Sequence, residues 1–269
     1  MHDELKPTSA TTRLWRRTRV LLHLMRGLLT VLLFPFFAPE TRRKVRQRWC
    51  RKLLTILGIS LRVRGEAVAD GTLLVANHIS WLDILAINAL HPAAFVSKSE
   101  VRSWPALGWL AAQNDTIFLQ RSRPGNARAA SVKIADRLDA GATVALFPEG
   151  TTTDGSHVLP FHSALLQPAL DAQRPVQSLA LRYLDATGQP TTAPAYWGDM
   201  SLAECLRNIL SARSLIAEVI VQPPLATDAI PGRRTLAATL HAQIAAEVIG
   251  QTATAPPPET PHHLQTALR

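Results

Sequence analysis

Between residues 61 and 248, short apolar runs alternate with stretches whose apolar residues recur at helical spacing. This alternation constrains the fold more than any other feature, because strands separated by helices build one sheet covered by helices. Strands are predicted at 61–64, 72–76, 95–96, 116–119, 143–147, 176–181 and 215–221. Helices are predicted at 80–90, 104–112 (with Pro105 at its first position), 126–140, 162–170, 202–210 and 233–248. The fold class that follows is α/β, with a mixed, largely parallel central sheet whose functional loops lie at strand ends. No internal repeat is present, and two distant cysteines, Cys50 and Cys205, give neither a disulfide framework nor a zinc ribbon.

The segment ahead of this body has a different character. Residues 1–64 hold 15 Lys/Arg against 3 Asp/Glu, and the rest of the chain holds 14 against 17. The basic character therefore belongs to the N-terminal arm. Residues 1–12 read as disordered. Residues 20–38 are apolar except for His23, Arg26, Gly27 and Thr30, and Arg26 is costly for a full bilayer span. Residues 41–57 combine Val45, Trp49, Leu53 and Ile56 at helical spacing with seven Lys/Arg. Two helices are expected here, one apolar and one basic-amphipathic, with Pro35 and Pro39 between them. An apolar run beside a cluster of cations favours a bilayer surface over nucleic acid, since a nucleic-acid arm has no use for the apolar run. From the cations flanking it, the body is expected on the cytoplasmic face of the inner membrane. The domain division is thus 1–57 as a membrane anchor, 58–250 as the α/β body and 251–269, with prolines at 256–258, as a disordered tail.

Three strand ends carry chemistry. The first opens into Asn77-His78-Ile79-Ser80-Trp81-Leu82-Asp83. Ser80 and Asp83 match a capping box, which puts Ser80 at the N-cap and Asp83 in the first turn. In an unbroken helix residues 78 and 83 would point about 140° apart, so the bend before the helix is what lets the acid meet the imidazole. An Asp on one ring nitrogen fixes the tautomer, and the other nitrogen then serves as a general base. The second strand end reaches Arg121, with Arg123 beyond it, and the third reaches Glu149, Gly150 and Thr151. Together they supply a base, a cationic anchor and a loop of hydroxyls and amides. Taken singly, each has a bland reading as a helix cap, a surface arginine or a turn.

Asn77-His78-x4-Asp83, Phe118-Leu119-Gln120-Arg121 and Phe147-Pro148-Glu149-Gly150-Thr151 resemble, in order and spacing, the first three motifs of the glycerophosphate/lysophosphatidate acyltransferase family. The resemblance implies transfer of an acyl chain from a thioester, on acyl carrier protein or coenzyme A, to a lipid hydroxyl, with no further cofactor. It implies that His78 is the base and Asp83 its partner. It further implies that Arg121 grips an acceptor phosphate, that Glu149, Gly150 and Thr151 line the acceptor site, and that two membrane helices precede the body. The expected acceptor is 1-acyl-sn-glycerol-3-phosphate, giving phosphatidic acid. Two departures favour a less anionic alternative, the lyso-ornithine lipids: Thr152 and His162 stand where the family often has an arginine and a lysine, although Arg123 is a compensating cation. The fourth motif survives only as Pro175-Val176-Gln177-Ser178-Leu179. A serine lipid hydrolase would want G-x-S-x-G, which is absent from the chain. A non-catalytic membrane binder would have no use for a His/Asp pair.

Overall fold

The computed structural model describes residues 8–104, 107–119 and 126–250. The expected roles of Arg121 and Arg123, the placement of Pro105 and the disordered tail 251–269 lie outside the described residues. Helix α1 (Ala10–Leu32) and helix α2 (Pro39–Leu57) come first, joined through a 3₁₀ turn at Phe34–Phe36. Pro39 occupies the first turn of α2, where its missing N–H costs nothing, and Gly58 closes the helix at φ +82°. The seven strands among the described residues are β1 (Ile59–Gly65), β2 (Leu73–Ala76), β3 (Ala94–Lys98), β4 (Ile117–Leu119), β5 (Val144–Leu146), β6 (Val176–Asp185) and β7 (Leu215–Val221). Between them run α3 (Leu82–Leu90), α4 (Leu107–Gln113), α5 (Asn126–Asp139), α6 (Gln167–Asp171) and α7 (Leu202–Ser211); α8 (Arg233–Ile249) follows β7.

The strands form one mixed sheet in the order β1-β7-β6-β2-β5-β3-β4, parallel except for the antiparallel β6–β7 pair. Central β2 is buried along its whole length, which is why it reads as an unbroken apolar run. Alternate residues feed two cores. On one face Leu74, Ala76, Leu179 and Leu181 pack with α2, α3 and α7; on the other, Leu73, Val75, Val176 and Ala180 pack with α5, α6 and α8. From β2 the chain leaves toward the first face through α3, and from β5 it leaves toward the second through α6. A crevice opens at strand ends where connections diverge in this way, and it lies outside the C-terminal ends of β2 and β5.

Several expectations change. Residues 8–12, expected to be disordered, are ordered: the Thr8 N–H and hydroxyl both donate to the Ser211 carbonyl, and α1 begins at Ala10. Helix α1 takes in the basic run at 13–19 as well as the apolar one, so it is amphipathic instead of apolar. No helix among the described residues is long and apolar enough to cross a membrane. Residues 39–57, expected to lie with the anchor, contribute Cys50, Leu53, Leu54 and Leu57 to the core of the body. The cations of α2 are divided. Arg46 donates to the Asn114 carbonyl and Arg51 to that of Ala89, while Gln47 donates to that of Leu90. The last two partners are terminal carbonyls of α3, which attract positive charge.

Candidate active site

The segment between β2 and α3 is held by one carboxylate. Asp83 is fully buried, and its Oδ2 accepts from the backbone N–H groups of Ile79 (2.7 Å) and Ser80 (2.9 Å) and meets His78 Nδ1 at 2.8 Å. Its Oδ1 accepts from the Tyr183 hydroxyl at 2.7 Å. An ionised carboxylate can only accept, so the ring donates from Nδ1, and in the neutral imidazole Nε2 then holds the lone pair. Four donors converge on two oxygens, so neither the carboxylate nor the ring it orients has an alternative place to go. The imidazole stacks on Phe147 at the end of β5, with centroids 4.0 Å apart and planes within 8°. It keeps 20% of its surface exposed, enough for a substrate to reach it.

The acid half of the expected capping box is therefore present, while the serine half differs. Helix α3 begins at Leu82 with Trp81 in the N-cap position, and the Ser80 hydroxyl accepts from the Leu82 N–H at 3.3 Å. Ser80 is fully buried. Its hydroxyl is sealed from solvent, which does not suit the nucleophile that a serine hydrolase needs. The amides of Ile79, Ser80 and Leu82 are all committed, so these three are not free to serve as oxyanion donors.

Glu149, expected to line the acceptor site, lies against the backbone of the base. It is buried, with one carboxylate oxygen accepting from the His78 N–H (2.7 Å) and the other from the Leu159 N–H (2.8 Å). Burial holds its carboxyl above the usual range, and those two N–H donors oppose the shift. It ties the backbone of His78 to the loop that follows β5. Gly150 lies at φ +74°, a conformation that admits glycine readily, and makes the turn after Phe147. Thr151 is exposed at the loop surface. Thr153 closes the loop onto the base segment by donating its N–H to the His78 carbonyl at 2.9 Å. The Thr152 hydroxyl donates to the Tyr196 carbonyl, and the Tyr196 N–H donates to the Ile79 carbonyl, so a third segment is tied into the same crevice.

Tyr183 is the residue that reading the sequence missed. Strand β6 runs to Asp185, four residues beyond its predicted end, and Tyr183 continues the face on which Leu179 and Leu181 lie. Extending the period-two pattern past Arg182 would have found it. Asp83 and burial hold the Tyr183 phenol well above its ordinary range, burial being the larger cause, so it stays a donor. Asn77 is fixed in the same way: its side chain exchanges two hydrogen bonds with the backbone of Leu181, at 3.0 and 2.7 Å.

This geometry has known relatives. Residues 60–182 match the family model described as acyltransferase. The chain is 39% identical over 200 residues to a lyso-ornithine lipid O-acyltransferase of Rhodobacter capsulatus, covering 72% of each chain. It is 38% identical over 183 residues to a 1-acyl-sn-glycerol-3-phosphate acyltransferase of Neisseria meningitidis serogroup B, covering 67% of this chain and 71% of that one. The crystal structure of the Thermotoga maritima 1-acyl-sn-glycerophosphate acyltransferase PlsC superposes with a TM-score of 0.64 at 21% identity, covering 91% of this chain and 100% of the other, and so shares the fold. A buried acid steering an imidazole at the end of a parallel strand, within this fold and this degree of likeness, makes the chain an O-acyltransferase belonging to the acyltransferase family of 1-acylglycerol-phosphate and lyso-ornithine lipid enzymes.

Proposed function

We propose that this enzyme moves an acyl chain from a thioester, on acyl carrier protein or coenzyme A, directly to the hydroxyl of a lyso-lipid, with His78 as general base. The observation that carries the chemistry is the His78–Asp83 contact, with Nδ1 engaged and Nε2 left for substrate. Nε2 takes the acceptor hydroxyl proton as that oxygen attacks the thioester carbonyl carbon. The tetrahedral intermediate collapses, the carbon–sulfur bond breaks, and the thiolate recovers the proton from the imidazolium. Asp83 stabilises the cation while it exists, and holding two large substrates together supplies the proximity advantage.

For the acceptor, the loop over His78 is the informative part. Thr152 spends its hydroxyl on Tyr196, and the half-buried Asp154 lies two residues further on, 3.5 Å from His157. A phosphate wants cations, whereas an ornithine headgroup carries an ammonium that suits a carboxylate. This supports a lyso-ornithine lipid as the preferred acceptor, in keeping with the Rhodobacter relative. The second reading, 1-acyl-sn-glycerol-3-phosphate, rests on Arg121 in Phe118-Leu119-Gln120-Arg121 and on the Neisseria relative. Incubating the purified enzyme with either thioester and equal amounts of both lyso-lipids, followed by mass spectrometry, decides between them. A diacylated ornithine lipid as main product supports the first, phosphatidic acid the second, and neither product contradicts both.

The substrates belong to a bilayer, and α1 supports interfacial residence. Leu14, Trp15, Leu21, Leu22, Met25, Leu29 and Leu32 line its outward face, each 50–66% exposed, and Phe36 beyond it is 84% exposed. Arginines 13, 17, 19 and 26 border this strip. A helix so patterned lies in the plane of a membrane surface, not across it. The proposed residence is the cytoplasmic face of the inner membrane, tested by fractionation and by protease access from either side.

A further inference from the structure

Where the first two turns of α1 meet α7, the two helices leave an open cleft of about 350 Å³ lined by Ala10, Arg13, Leu14, Arg17, Arg207 and Ser211. Three arginines thus line one hollow. Arg207 has a single, long ion pair with Glu204 (3.7 Å, both side chains exposed), and Arg13 and Arg17 have no carboxylate partner among the described residues. Nearby Arg16 is used differently: it donates to the Ala212 and Arg213 carbonyls and fastens α1 to the end of α7. Arg16 thus ties together the two helices whose arginines line the cleft. One wall, Leu14, is also the first residue of the exposed apolar strip of α1.

We infer that this cleft takes the phosphate of an anionic phospholipid that is neither substrate nor product, with the lipid's acyl chains lying along the strip that begins at Leu14. A guanidinium cluster binds phosphate with paired, charge-assisted hydrogen bonds, and the apolar strip beside it suits a lipid where a soluble anion would leave that strip uncovered. The inference rests on the interfacial residence proposed above and adds a headgroup preference to it. Helix α7, one wall of the cleft, is also linked to the active-site segments. Cys205 of α7 is buried against the Pro194 carbonyl, and the same connector carries Tyr196, whose backbone binds Ile79 and Thr152. A lipid seated between α1 and α7 would hold the active-site crevice at a set orientation to the bilayer.

The test is sedimentation of the full-length protein with vesicles of phosphatidylcholine alone or mixed with phosphatidylglycerol. Arg207→Gln should weaken binding to the mixed vesicles about fivefold, the worth of one arginine at an anionic surface, and leave binding to neutral vesicles unchanged. Arg128→Gln on α5 removes the same charge elsewhere and should change neither. Equal losses from the two substitutions would mean diffuse charge only and overturn the inference. So would binding of inorganic phosphate, by calorimetry, that depends on Arg207 when vesicle binding does not, since the cleft would then be a free-anion site. A raised KM for the acyl carrier thioester in Arg207→Gln, with vesicle binding intact, would reassign the cleft to the carrier protein. Failure of the unaltered protein to bind either vesicle would remove interfacial residence itself, whereas tight but Arg207-insensitive binding would remove only the headgroup site. Arg207 is exposed, and an unchanged melting temperature confirms that the variant is folded.

Discussion

Two of the histidine–aspartate pairs among the described residues stand at opposite ends of the sheet, and they are built in opposite ways. At the C-terminal edge, His78 meets an Asp83 that is fully buried and satisfied by four donors. At the N-terminal edge, His91 lies 3.3 Å from an Asp70 that is 72% exposed. One nitrogen of His91, Nε2, is shared among Asp70, Thr143 Oγ1 (3.1 Å) and the Arg43 guanidinium (3.4 Å). The first pair keeps one nitrogen bound and the other available; the second crowds its contacts, a cation among them, onto one nitrogen. Proximity of an acid and an imidazole is therefore not sufficient for a base. What distinguishes the His78 pair is an acid held by four donors and a ring whose Nε2 has no hydrogen-bond partner among the described residues.

The largest expected effect breaks the comparison directly. His78→Ala should lower the transfer rate about 10³-fold or more, the worth of a general base, while His91→Ala stays within twofold; assays on folded, purified variants check both. Tyr183→Phe should come next. It leaves one Asp83 oxygen buried and unmet, which costs about 1–3 kcal/mol of stability. It also loosens the acid, lowering the rate about tenfold with little change in KM, as chemical denaturation and kinetics would show. Glu149→Gln presents an amide to two N–H donors where the carboxylate accepted from both. One donor then faces another, and stability should fall by about 1–3 kcal/mol, with a rate loss smaller than that of His78→Ala.

The smallest effect sharpens the second pair. Burial, with a lesser contribution from Arg43, holds His91 below its usual value against the attraction of Asp70. The unfolded chain then binds more protons than the native state just below pH 6.5, the value of a free histidine. Stability present above that pH should decline as pH falls, until the folded value is passed. His91→Gln should flatten part of the slope. His23, also lowered by burial, supplies another part. Melting temperatures between pH 5 and 8 read both.

Much of the site was legible because it is local. His78, Asp83 and the turn between them occupy six residues, and the strand-to-helix switch around them follows from hydrophobic period alone. What escaped depends on distant partners. Tyr183 lies past the predicted end of β6 because the far half of β7 needs something to pair with: Tyr183 stands opposite Ala217, and Asp185 opposite Leu215. Glu149 reads as a loop acid until the donors at His78 and Leu159, 71 and 10 residues away, are known. The arginines of α2 look like a membrane face until α3 brings its terminal carbonyls beneath Arg51. Arg121 was legible as a motif residue, and its position lies outside the described residues.

The most direct test is the ring tautomer of His78, read from ¹⁵N chemical shifts and long-range proton couplings of histidine-labelled protein near neutral pH. The account predicts a protonated Nδ1 and a bare Nε2, lost in Asp83→Asn. A proton found on Nε2 with Nδ1 bare in the unaltered enzyme would contradict it, because no base would then face the acceptor.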